Sequence, residues 1–111
     1  MNIILTDQKC VACEGGVPPL TAVEVAELKP QVPEWTVAHD NLSISRHYTL
    51  KNFQAVIDLI NQVAVLAEQE GHHPDLHLTN YKELTIELST HAIGGLSQND
   101  FILAAKIDSL K

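Results

Sequence analysis

An α+β layer fold is predicted by three features of the chain. Four short, extended-looking runs fall into two hairpin-like pairs. Three stretches carry helical signals, and the segments follow in the order helix, hairpin, helix, hairpin, helix. Hairpins pair antiparallel strands without crossovers, and helices packed on one face then bury the apolar side of the sheet. The other face is left free for a ligand or a second subunit.

Residues 1–19 read as an irregular lead-in ending in Gly15-Gly16-Val17-Pro18-Pro19, and residues 20–111 as a single domain. Thr21-Ala22-Val23-Glu24 has the capping-box pattern that opens a helix, and Pro30 closes it. Trp35 to Ala38 and Leu42 to Leu50 look extended, with His39-Asp40-Asn41 supplying turn chemistry between them. In the second run Leu42, Ile44, Arg46 and Tyr48 share one face, with Ser43, Ser45 and His47 on the other. From Asn52 to Glu70 the apolar residues Phe53, Val56, Ile57, Ile60, Val63, Ala64 and Ala67 form one helical stripe, and Gly71 is placed to cap it in the left-handed conformation. Leu76 to Tyr81 and Leu84 to Ser89 read as the second hairpin, where Leu84, Ile86 and Leu88 alternate with Thr85, Glu87 and Ser89. Ser97-Gln98-Asn99-Asp100 opens a last helix through Phe101, Ala104, Ala105 and Ile107.

At 111 residues the chain can bury one core without disulfide or metal support. Its net charge of −7 and its scattered basic residues, Lys9, Lys29, Arg46, Lys51, Lys82, Lys106 and Lys111, argue against nucleic acid and anionic membrane surfaces as partners. The opening MNIILTDQKC lacks the pattern of a secretory signal, and no apolar run approaches a membrane span, so a cytoplasmic location is expected. Cys10 and Cys13 have zinc-ligand spacing, but a lone C-x-x-C without a second pair is weak evidence, and no metal is assigned.

The segment from Glu68 to Asp100 concentrates the chemistry. His72 and His73 precede Pro74 at the end of the long helix, and His91 lies just past the last strand. Histidine exchanges protons at neutral pH because its ordinary pKa is about 6.5. Pro74 biases His73 toward extended backbone, and a hairpin of the last two strands brings His73 and His91 to the same end of the sheet. Glu68, one turn before Gly71, is expected to point beside His72 rather than into bulk solvent. Blander roles compete with these: His72 or His73 as a cation suiting a helix C-terminus, His39 and His47 as solvated surface residues, Asp100 as the cap partner of Ser97, and Tyr81 as packing. His77 fits either kind of role.

The ordered set Glu68, His72-His73-Pro74, Tyr81, His91 and Asp100 resembles the signature of the pterin-4a-carbinolamine dehydratases, as do the lead-in Cys13-Glu14-Gly15-Gly16-Val17-Pro18-Pro19-Leu20 of bacterial members and Trp35. The resemblance runs from about residue 10 to residue 108. It implies a four-stranded antiparallel sheet with three helices packed on one face, and a homodimer or homotetramer joined through sheet edges. It also implies dehydration of 4a-hydroxytetrahydrobiopterin to quinonoid dihydropterin in pterin recycling, with neither cofactor nor metal. By the same resemblance His72, His73 and His91 are the catalytic set, with His72 and His91 as acid and base. Glu68, Pro74, Tyr81 and Asp100 then bind or orient the small-molecule pterin. The chain departs from vertebrate relatives at Leu76, where they carry an aromatic, and by one extra residue before Tyr81. Two alternatives share the fold: a non-catalytic protein-interaction module, and a pterin-binding protein of molybdenum-cofactor metabolism.

Overall fold

The structure, a computed structural model, describes residues 4–11 and 17–110. Helix α1 (Ala22–Leu28) starts where Thr21 Oγ1 accepts the Glu24 N–H at 3.2 Å and the Glu24 carboxylate accepts the Thr21 N–H at 2.9 Å. The α-helix ends at Leu28, two residues before Pro30, as the sequence suggested. Pro30 sits inside a 3-10 turn, Lys29–Gln31, near whose start its missing N–H leaves no intrahelical bond unmade.

Strand β1 is only Thr36–Val37, shorter than the run from Trp35, and it pairs with the start of β2 (Ile44–Thr49). Between them Asn41 adopts φ 60° and Asp40 Oδ1 accepts the Leu42 N–H at 3.0 Å, the local bonding that favours Asx residues in turns. Helix α2 (Phe53–Glu70) is capped by Asn52, whose Oδ1 accepts the Ala55 N–H at 2.8 Å. It is followed by β3 (Asp75–Thr79), β4 (Glu83–Leu88) and helix α3 (Gln98–Asp108).

All neighbouring strands are antiparallel, in the order β1-β2-β4-β3, so β4 lies between β2 and its own hairpin partner. Ile44, Leu84, Ile86 and Leu88 project from one face into a core shared with Val25 and Leu28 of α1, Val56 and Val63 of α2, and Phe101 and Leu103 of α3. The opposite face presents Ser45, His47, Thr49, Asp75, His77, Thr79, Glu83, Thr85 and Glu87. There His47 is more than a solvated side chain: its ring bonds Thr85 Oγ1 at 2.8 Å and Glu83 Oε1 at 2.7 Å across the β2–β4 ladder. Helix α3 is buried along nearly its whole length, which is why its apolar residues surround it rather than form a stripe.

The lead-in is more ordered than its sequence implied. It contains a 3-10 turn, Leu5–Asp7, and Leu5 and Cys10 enter the core. Eight residues are too few for periodicity to reveal this. Lys9, Cys10 and Val11 then cross the ends of two helices. Lys9 Nζ donates to the Gln69 carbonyl at 3.4 Å, and the Cys10 N–H donates to Glu70 Oε1 at 2.9 Å. Val11 exchanges two bonds with the Asn99 side chain, at 3.0 and 2.5 Å. Burial drives the Cys10 thiol up to about 12, with the Glu70 charge adding to the effect, so the thiol stays protonated and donates to the Asn99 carbonyl at 3.5 Å. Among the described residues no helix is long and apolar enough to cross a membrane.

Burial works against the charge of Glu70, yet the Cys10 N–H and the Lys106 ammonium, 2.8 Å from Oε2, together hold its pKa below the ordinary 4.5. A depressed carboxylate stabilises the fold fully above the unfolded value and loses that contribution as pH falls through the folded one. Wild-type protein is therefore expected to lose stability as the pH drops below 4.5, and Glu70→Gln to lose less over the same interval. Urea midpoints from roughly pH 3 to pH 6 check this, and parallel curves for the two proteins would refute it.

Candidate active site

Helix α2 ends at Gly71, which takes φ 67° and ψ 27°, a conformation that costs glycine little. Its N–H and that of His72 both donate to the Ala67 carbonyl, at 2.9 and 3.2 Å, so the backbone of His72 is tied to the helix end. Pro74 then directs the chain into β3, which begins at Asp75. The pairing of Asp75 with Glu87 puts the start of β3 and the end of β4 at one end of the sheet, as the hairpin argument required.

From that end the chain passes Thr90 to His91, which opens a 3-10 turn, His91–Ile93. A bridge between Thr90 and Gly95 closes this loop, with the Thr90 N–H donating to the Gly95 carbonyl at 2.8 Å. Gly95 must be small here: a Cβ would stand 2.8 Å from Pro19 Cβ. The loop holds the imidazole of His91 in solvent.

The centre of the constellation is a buried carboxylate. Asp100 is 0% exposed, and its Oδ1 lies 2.6 Å from Nε2 of His72, itself only 12% exposed. Its Oδ2 accepts the Ser97 N–H at 2.9 Å and the Thr90 hydroxyl at 2.8 Å. Asp100 thus caps α3, as its position three residues after Ser97 suggested, and also orients His72. A carboxylate only accepts, so His72 carries its proton on Nε2 toward Asp100 and leaves Nδ1 for other chemistry. Thr90 was not singled out in the sequence. Its role depends on a contact across ten residues, and a threonine at a strand end gives no signal of that.

Two placements differ from expectation. Glu68 is 76% exposed and bonds His73 Nε2 at 2.5 Å, instead of sheltering beside His72. Tyr81 lies in the β3–β4 turn, at the far end of the hairpin from the histidines. It is 57% exposed with φ 55°, so it does not pack as expected, and within one chain it is not brought to the site. The structure pairs His72 with Asp100 and His73 with Glu68 at the end of α2, and places His91 in the turn that follows β4. Among the described residues no three His, Cys, Asp or Glu side chains converge as a metal site. Cys13 and residues 14–16 of the lead-in motif lie outside the described residues.

The family model for pterin 4 alpha carbinolamine dehydratase matches residues 18–110, a span that includes every element of this site. The chain belongs to that family. A Nitrosomonas eutropha protein provisionally named for the dehydratase is 47% identical over 107 residues, covering 96% of this chain and 92% of its own. Pterin-4-alpha-carbinolamine dehydratase 2, mitochondrial, of Arabidopsis thaliana is 44% identical over 96% of this chain, which spans 59% of that longer protein. Among solved structures, a transcriptional coactivator/pterin dehydratase from Brucella melitensis superposes with a TM-score of 0.75 at 26% identity, covering 82% of this chain and 96% of its own. That superposition supports the four-stranded antiparallel sheet and three helices found here.

Proposed function

We propose that this protein is a hydro-lyase that dehydrates 4a-hydroxytetrahydrobiopterin to quinonoid dihydropterin by histidine acid–base catalysis. The observation carrying the proposal is the bond from His72 Nε2 to the fully buried Asp100, which fixes one imidazole and leaves its Nδ1 as the free ring nitrogen of that pair. Family membership supports the same reading.

In the reaction the C4a–O bond breaks as the departing hydroxyl takes a proton and leaves as water. The N5 lone pair closes the C4a=N5 double bond, and N5 gives up its proton. One proton enters and one leaves, so no redox partner or cofactor is required. His72 and His91 are assigned as the two proton-transfer groups, each contributing ~10²–10⁴-fold. His73, tethered to Glu68 on the rim, positions the pterin, whose edge offers donors and acceptors. The enzyme is assigned to the cytoplasm and to a homodimer or homotetramer, with the outer edges of β1 and β3 as the strands available for pairing between copies.

The test is stopped-flow dehydration of freshly generated 4a-hydroxytetrahydrobiopterin, read against its spontaneous decay. Concentration-dependent acceleration by the folded protein is expected, and its absence would remove the enzyme reading. The Brucella melitensis protein of this fold is named a transcriptional coactivator as well as a pterin dehydratase, which makes an interaction module the reading to take up in that event.

A further inference from the structure

The two groups that form the His72–Asp100 bond belong to different segments, and their spacing follows from how the end of α2 sits against the start of α3. His72 follows the last turn of α2, while Asp100 is in the first turn of α3. A third segment spans the space between them. Glu70, two residues before His72, accepts the Cys10 N–H, and Asn99, next to Asp100, both accepts from and donates to the Val11 backbone. The Cys10 thiol adds a bond to the Asn99 carbonyl, and Lys106 of α3 reaches directly to Glu70. Cys10 and Asn99 are buried, and the Glu70 side chain is nearly so. The strap lies outside residues 18–110, the region that the family model describes.

We propose that Glu70 and Asn99 are positioning residues, through which the backbone of Cys10 and Val11 sets the spacing of α2 and α3 and so holds His72 in bond with Asp100. The activity consequence rests on the dehydratase reading; the structural consequence does not. Neither residue touches the reacting groups. Their effect is geometric, because misplacing an oriented group by about 1 Å can cost on the order of 10²-fold in rate.

The experiment is a double-mutant cycle in the full chain between Val11→Pro, which removes the strap's N–H, and Asn99→Ala, which removes its partner. The direct readout is the downfield proton resonance of His72 Nε2–H and its exchange with water, followed by NMR in protein shown to be folded by circular dichroism. Each single variant is expected to broaden that resonance and speed its exchange. Each should also lower kcat by about tenfold with KM within about twofold of wild type. The double variant should be little worse than Asn99→Ala alone. An unchanged His72 resonance in the folded single variants would overturn the proposal, and so would effects that multiply in full. If Asn99→Ala does not fold, Val11→Pro alone decides through the same resonance. If wild type shows no dehydration, the resonance still decides the positioning role while the enzyme reading falls.

Discussion

His72→Gln is expected to cut kcat/KM for pterin dehydration by about 10²–10⁴-fold while leaving thermal stability near wild type. Glutamine is the informative replacement, because its amide can still donate to Asp100 Oδ1, where the imidazole now lies at 2.6 Å. Alanine would strand a fully buried carboxylate and confuse catalysis with folding. His91→Ala should show a comparable rate loss with no stability cost, since that ring is exposed. Asp100 behaves differently from both. Asp100→Ala removes the acceptor of the Ser97 N–H and the Thr90 hydroxyl as well as the partner of His72, so it should lose activity and about 3 kcal/mol of stability together. Asp100→Asn keeps the shape but sets its amide donor against either the Nε2–H of His72 or the donors at Oδ2, so the rate should fall even where the fold survives. Stopped-flow rates paired with urea midpoints separate the two roles. Full acceleration by folded His72→Gln would refute proton transfer by His72.

The parts of this molecule legible in its sequence are those set by local rules. The capping box at Thr21, the left-handed cap at Gly71 and the alternation of Leu84, Ile86 and Leu88 depend on neighbours within a few residues, and each is found in place. The residues proposed for the site could be named from the sequence, but the pairs they form could not. Asp100 meets His72 across two helices, and the left-handed turn at Gly71 sends the chain on so that Glu68 meets the second histidine rather than the first. The insertion of β4 beside β2 and the grip of Cys10 and Val11 on Glu70 and Asn99 are likewise contacts at long sequence separation. No periodicity encodes them. Tyr81 illustrates another limit: an aromatic next to strand residues suggests packing, whereas its φ of 55° places it in the turn with its ring exposed.

Trp35→Ala is expected to be the most damaging of the substitutions outside the site. Trp35 is 1% exposed and is among the largest side chains fully enclosed in the core, so its removal should cost roughly 3–5 kcal/mol. Against a typical total of about 5–15 kcal/mol, that loss approaches the stability of the whole domain. Its indole N–H also donates to Asp108 Oδ1 at 2.8 Å, an oxygen that Arg46 reaches at 2.6 Å. Trp35→Phe keeps most of the buried area and leaves Asp108 its Arg46 partner, so it should cost far less, about 1–2 kcal/mol. Urea unfolding measures both. Asp108 ends α3 and Asp100 lies in its first turn, about 12 Å apart along a helix rising 1.5 Å per residue. Rates corrected for the folded fraction should therefore stay near wild type in both variants. A fall in the corrected rate would show instead that the Trp35–Asp108–Arg46 cluster sets the position of α3 along its whole length, and with it the carboxylate that holds His72.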